Sequence, residues 1–369
     1  MRIQLKLAAF VLCAMASLLA IAWRPASKPS ETWNPKAAAA YLDYRENWWM
    51  NWPRSARDHQ TFCISCHTAL PYALARPALG PSLGETSDSP GERGLIENVI
   101  KRVRLWKEVE PYYDQSRGSY KPTESRGTEA VLNALILASH DAPTGKFSTD
   151  ARLAFDNMWA LQLTEGNARG AWSWLQFDNE PWEAPDSQYY GAALAAIALG
   201  RAPASYRAQP DVAPRAEMLR DYLNRESASQ STIIKAVLLW ASAHWPGLLS
   251  PERQKAIVAE VVTKQEADGG WSLANTVGSW RRVDGTPLES KSDGYATGLA
   301  VLALQEAGVS PDSPQLQNGR AWLLHNQSAT EGLWPAYSLN KQRDLSSDVG
   351  RFMSDAATAY AVLALEYKK

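Results

Sequence analysis

The sequence predicts an all-α protein assembled from six repeated helical pairs, and three observations lead there. A short alanine- and leucine-rich stretch recurs along the chain, a charged amphipathic stretch precedes each copy, and a turn bearing tryptophan or tyrosine joins the two. Self-similarity of this kind identifies a repeat architecture before any single element is assigned. Bulk composition agrees. At 369 residues, with 45% hydrophobic and 21% charged side chains, the chain can bury a large core. A net charge of −1 without a basic stripe gives a nucleic-acid partner no electrostatic support. Sixteen Trp and 14 Tyr against 6 Phe point to repeat packing or to a cavity that holds something large and flat.

Residues 1–22 carry Arg2 and Lys6, an apolar run and a small-residue end at Ala20-Ile21-Ala22. This reads as a secretory signal peptide, with an uncleaved N-terminal anchor as the alternative. Either way the body of the protein is exported to the periplasm or beyond, and a membrane is met only through this segment. From about residue 30 to 369 a single domain is expected. Outer, amphipathic helices are expected at 35–47, 95–109, 150–163, 213–224, 252–266 and 315–326. Inner, small-residue helices are expected at 66–79, 124–137, 186–199, 229–241, 292–304 and 353–365, packed on every side. The first inner helix contains Pro71 and Pro77, each of which removes a backbone donor and favours a break.

The joining turns carry a pattern. "QEADGGW" (265–271) is a Gln-x3-Gly-x-Trp, "QSATEGLW" (327–334) has one extra residue, "QLTEGNARGAW" (162–172) is longer, and "QSRGSY" (115–120) is degraded. These turns resemble the repeats of squalene–hopene cyclases and the related protein prenyltransferases. The resemblance covers roughly residue 95 to the end and implies an α6/α6 toroid, a barrel of inner and outer helix rings. It does not bring the chemistry of either family. The Asp-x-Asp-Asp acid of the cyclases is matched only by Asp293-Gly294-Tyr295, with Tyr295 where the proton donor belongs. Prenyltransferase zinc needs a cysteine, and beyond Cys13 in the leader only Cys63 and Cys66 exist. In such a toroid the inner-helix N-termini ring one mouth, where Glu124, Arg126, Asp186, Tyr189, Asp293, Tyr295 and Asp355 gather. Asp186, Asp293, Tyr295 and Asp355 are the catalytic candidates. The plainer account makes the three aspartates helix caps or first-turn acids. Trp172, Trp271 and Trp334 are expected to tie repeats together.

Cys63-Ile64-Ser65-Cys66-His67 has the C-x-x-C-H spacing that attaches a c-type haem, with two thioethers and His67 as proximal iron ligand. A disulfide turn or half of a zinc site would use the same cysteines, although only His59 lies close enough to help complete a zinc set. "GPSLGE" (80–85) is similar to the stretch after the haem motif in cytochromes c, but no methionine follows between 68 and 157. Aligning the last repeats on "ARPAL" (75–79) sets Met353 in the register of His67, so Met353 is the candidate sixth ligand. His59, Met50 and an open iron site are its rivals. "NWWMNWP" (47–53) is expected to wall the haem pocket. The expectation is therefore an exported monohaem c-type cytochrome-like protein on a cyclase-like toroid, serving electron transfer or as a redox subunit with a periplasmic redox partner. The alternatives are a haem-dependent oxidoreductase acting on an apolar, isoprenoid-like small molecule in the cavity, and a non-haem ligand-binding toroid with a Cys63–Cys66 disulfide.

Overall fold

A computed structural model describes residues 33–368; the expected leader and Cys13 lie outside them. Twelve helices alternate between an outer and an inner ring. The outer helices are α1 (Pro35–Asn51), α3 (Pro90–Arg104), α5 (Thr149–Ala160), α7 (Ala213–Glu226), α9 (Pro251–Thr263) and α11 (Pro314–His325). Their inner partners are α2 (Ala69–Leu83), α4 (Lys121–Asp141), α6 (Gln188–Arg201), α8 (Thr232–His244), α10 (Gly294–Glu306) and α12 (Phe352–Leu365). The inner helices pack α2 on α4, α4 on α6, α6 on α8, α8 on α10, α10 on α12 and α12 back on α2. The ring is closed, as an α/α toroid requires.

Local chemistry explains the outer-helix starts. Asn34-Pro35, Ser89-Pro90, Ser250-Pro251 and Ser313-Pro314 each place a capping side chain before a proline in the first turn. The cap accepts an otherwise orphaned N–H, and proline lacks the N–H that would be orphaned. Ser89 and Glu92 complete a reciprocal capping box. The inner helices are buried almost all round, and small residues let them approach closely. A side chain on Gly298 of α10 would run into the backbone of α12 at Tyr360 and Ala361. Helix α2 continues through Pro77 and Pro81, held by packing against α1, α4 and α12; tertiary contacts override the lost donors. The only β-structure among the described residues is a two-residue hairpin, Ala56–Arg57 with Thr61–Phe62, and an isolated bridge at Asn179 and Glu183. No helix of the described residues is long and apolar enough to cross a membrane.

Candidate functional site at the toroid mouth

The turns place the mouth. Trp172, Trp271 and Trp334 are buried, and each indole N–H donates to a carbonyl late in the preceding outer helix: Met158 (2.6 Å), Val261 (2.8 Å) and Leu323 (2.8 Å). The chain then runs to the N-terminus of the next inner helix, where the mouth candidates stand. They go to different places. Asp293 caps α10, its Oδ1 accepting from the N–H groups of Tyr295 and Ala296 (2.9 Å each) and its Oδ2 from that of Leu273 (2.6 Å). Burial pushes its carboxyl up to about 7 in spite of these donors. Tyr295 is buried against Trp182 (ring centroids 5.9 Å) and Tyr360 (5.2 Å). Asp355 turns from α12 toward the outer helix α1 and accepts from Tyr41 Oη (2.6 Å), Arg45 Nε (2.8 Å) and Thr68 Oγ1 (2.7 Å). Glu124 pairs with Lys121, Arg126 donates to the Val109 carbonyl, and the Tyr189 hydroxyl donates to that of Leu223 (2.8 Å). Asp186 alone of the aspartates is exposed, at the entry to α6.

Beside Asp186 lies a small recess of about 50 Å³ that opens to solvent. It is lined by Glu180, Pro181, the entries of α6 and α8 (Ser187, Gln230, Ser231), and by Val277, Trp280 and Leu339. Glu180 is 5% exposed, and neither carboxyl oxygen has a hydrogen-bond partner among the described residues. Burial pushes its carboxyl up to about 7, with the charges of Asp186 and Asp178 adding to the rise. Ser231 makes no side-chain cap bond, so the first-turn N–H groups of α8 remain donors at the same recess. A buried acid, a second carboxylate and free donors thus meet at one opening. Sequence reasoning found Asp186 and missed Glu180, Gln230 and Trp280. The one available signal was two acids flanking Pro181 and Trp182 ahead of Asp186 in the long segment before α6.

The C-x-x-C-H stretch forms a different environment. The imidazole of His67 stacks on Phe352 (centroids 3.7 Å, planes 21° apart), with Trp49 edge-on at 5.0 Å and Trp182 at 5.6 Å. Its Nδ1 bonds Thr68 Oγ1 (2.9 Å), which passes on to Asp355, and burial holds the ring well below its usual titration range. Cys63 and Cys66 are buried free thiols, so the disulfide of the alternative reading is not formed. A porphyrin would need a flat slot open to both thiols and to one imidazole nitrogen, and three aromatic rings pack around the imidazole instead. The residues do not fit a haem, and the expectation of haem c, with its iron, its electron-transfer role and its redox partner, is corrected on this packing. Phe352, not Met353, is the α12 residue stacked on the imidazole, and Met353 is the buried residue after it. Met50 reaches Gly94 of α3, and His59 is half-exposed and paired with Asp58. Among the described residues no three His, Cys, Asp or Glu side chains converge on a metal position. The expected apolar ligand is corrected too. Trp182, Tyr295, Tyr360 and Trp240 are buried and pack ring against ring in sequence, at 5.2 to 6.3 Å, so these side chains cover one another and leave no apolar face for a ligand.

No family model and no curated protein matches this chain. Solved structures do. The GH76A α-1,6-mannanase of Salegentibacter sp. HEL1_6 is 13% identical, covers 89% of this chain and 100% of its own, and has a TM-score of 0.50. An inactive variant of it, solved with α-1,6-mannotriose, matches equally. A glycosidase solved with glucose is 14% identical over 90% of this chain and 97% of its own, with a TM-score of 0.51. The expected kinship with cyclases and cytochromes is corrected accordingly, since these toroids are glycosidases and not electron carriers. At such identities the likeness establishes that this chain has the α/α-toroid fold, and nothing beyond the fold.

Proposed function

We propose that the toroid mouth binds and hydrolyses a glycan, with Glu180 as general acid and Asp186 as the second carboxylate. One observation carries this reading: Glu180, whose carboxyl is buried and unpartnered among the described residues, lines a recess that also holds an exposed acid. Glycosidic cleavage needs such a division of labour. One protonated acid delivers a proton to the departing oxygen, and a second carboxylate either attacks the anomeric carbon or activates water. Burial raises Glu180 to about 7, which keeps it protonated in mildly acidic solution. Sugar hydroxyls match the rest of the recess, because they donate to carboxylates and accept from the free N–H groups of α8. The toroids of like shape are glycosidases, two of them solved with α-1,6-mannotriose and with glucose; α-linked manno- and gluco-oligosaccharides are therefore the first substrates to try. Export, as residues 1–22 suggest, would bring the chain to extracellular glycans.

The test is sugar release from a panel of α-linked oligosaccharides. Turnover is expected to decline as pH rises through about 7, as Glu180 loses its proton. Glu180→Gln should lower kcat by about 10²–10⁴, the usual worth of a positioned acid, with melting unchanged. Full activity in Glu180→Gln would assign the acid elsewhere, and failure to bind or cleave any glycan would end the proposal.

A further inference from the structure

We infer that two loops at the mouth, 277–292 and 335–347, form a lid that lifts as one body to admit a glycan to Glu180; this rests on the glycan reading above. The size of the recess is the first reason. Its space of about 50 Å³ is room for a handful of waters, each needing roughly 10–15 Å³, whereas pockets that hold small ligands run to about 300–1,000 Å³. Glu180 is only 5% exposed there. No sugar ring reaches its carboxyl as the mouth stands, so one side of the recess has to move.

The lining residues are held in different ways. Those at the entries of α6 and α8 belong to the inner ring, where the two helices pack on each other. Val277, Trp280 and Leu339 are carried by the two loops, which are laced together. The Trp280 indole N–H donates to the Leu339 carbonyl (2.9 Å), Arg282 Nε to that of Ser338 (2.8 Å), the Val283 N–H to that of Asn340 (2.9 Å), and the Gln342 N–H to Asp284 Oδ2 (2.7 Å). Both loops are pinched at their necks. Asp293 Oδ2 accepts from the Leu273 N–H (2.6 Å), the Ala336 N–H donates to Ser354 Oγ (3.2 Å), and the Gly294 N–H joins the two necks through the Pro335 carbonyl (2.9 Å). Asp348, just past the second loop, is held by Arg45 of α1 (2.9 Å). Toward Glu180 there is no such tie: among the described residues no hydrogen bond links either loop to 178–188 or to 227–235. What the loops share with that side is an apolar lining, in which Val277, Trp280 and Leu339 join Pro181, Ile233 and Ile234. A body bonded within itself and pinched at its base can swing about its necks without breaking a hydrogen bond to the Glu180 side. Hinged loops that uncover and reseal a catalytic group work in this way.

Spin labels test the movement. Val283→Cys puts one label on the lid, at a side chain 68% exposed, and Ala228→Cys puts a second on the exposed approach to α8, while the natural Cys63 and Cys66 are buried. In the Glu180→Gln protein, which should bind without cleaving, pulsed electron paramagnetic resonance measures the label separation with and without an α-linked oligosaccharide. A longer separation with the glycan bound is the expected result. Binding with an unchanged separation would overturn the lid and leave the glycan reading intact. Absence of any glycan binding, and of any cleavage by the wild type, would overturn both. Ile234→Ala adds a kinetic check from the α8 side. It trims the apolar seam, so more of the protein stands open, and apparent affinity rises with the open fraction. KM should fall about fourfold, the worth of one buried CH₂ at the seam. An unchanged or higher KM in a folded Ile234→Ala protein would overturn the closed resting state and the lid with it.

Discussion

Glu46, Glu180, Asp293 and Asp355 are all buried carboxyls, and their surroundings separate them. Asp293 is answered by three backbone N–H groups and Asp355 by a guanidinium and two hydroxyls, and both are structural. Glu180 faces an opening. Glu46, on α1, faces none: it is fully buried and neither oxygen has a partner among the described residues. Burial pushes Glu46 up to about 8, with Asp355 and Asp43 adding to the rise. A carboxyl raised in the folded state holds its proton more tightly there than in the unfolded chain, near its ordinary value of 4.5. Its contribution to stability is complete below that value and is lost as pH rises through about 8. Wild-type protein should therefore lose stability between pH 5 and 9, and Glu46→Gln should flatten that slope, being more stable than wild type at pH 9 by an amount on the order of a few kcal/mol. Denaturant midpoints at the two pH values check this. Equal slopes in the two proteins would show that Glu46 ionises freely.

At the scale of the element, three of the six repeats are held by the same small circuit. Gln162, Gln265 and Gln327 each donate to a carbonyl of their own turn, at Gly170, Gly269 and Gly332, and to a carbonyl at the start of the next outer helix, at Arg215, Gln315 and Asn34. The glycines have positive φ, and a side chain on Gly332 would collide with the Ala37 carbonyl, so the turn packs directly on the neighbouring repeat. A threonine on the inner helix pins the tryptophan. Thr297 Oγ1 accepts from the Trp271 N–H (2.9 Å) and donates to the Trp271 carbonyl (3.1 Å), and Thr358 accepts from the Trp334 N–H (3.1 Å). Thr297→Val keeps the shape and leaves the buried backbone N–H of Trp271 without its acceptor, while the Trp271 carbonyl keeps the Asp293 N–H; this should cost about 1–3 kcal/mol. Urea unfolding measures it. A cost near zero would mean the fully buried turn finds other partners.

For the whole molecule the decisive join is where the last repeat meets the first. Gln327 reaches the Asn34 carbonyl, Ser82 of α2 donates to Glu366 (2.7 Å), and Asp355 of α12 binds Tyr41 and Arg45 of α1 and Thr68 beside α2. Arg45 and Asp355 are each 1% exposed, so removing Arg45 leaves a buried carboxylate with two hydroxyls and no counter-charge, and removing Asp355 leaves the guanidinium only Asp348 at the surface. Asp355→Ala and Arg45→Ala should each destabilise by about 3–5 kcal/mol, and the double variant by much less than their sum. Additive losses would mean that the pair does not close the ring. Part of this was legible in the chain. Four outer helices announce themselves through a capping residue and proline, the inner ones through runs of Ala and Leu, and three turns through Gln, Gly and Trp, all of them local signals. Such repetition also implies closure, since helices apolar on every side must be covered. The site was not legible in this way. Cys63, Cys66 and His67 have haem-motif spacing, yet spacing cannot tell an open slot from one filled by Phe352, which arrives from 285 residues away. Asp355 reads like its fellow helix-entry acids, and only Arg45, at the opposite end of the chain, makes it a structural charge. Glu180 looks like an ordinary loop acid until Trp280 and Leu339 enclose it. Helix propensity and capping are settled within a turn or two of backbone, so the sequence by itself determined the fold; burial and charge pairing are set by side chains from distant repeats, so only the tertiary structure decided which acid faces an opening.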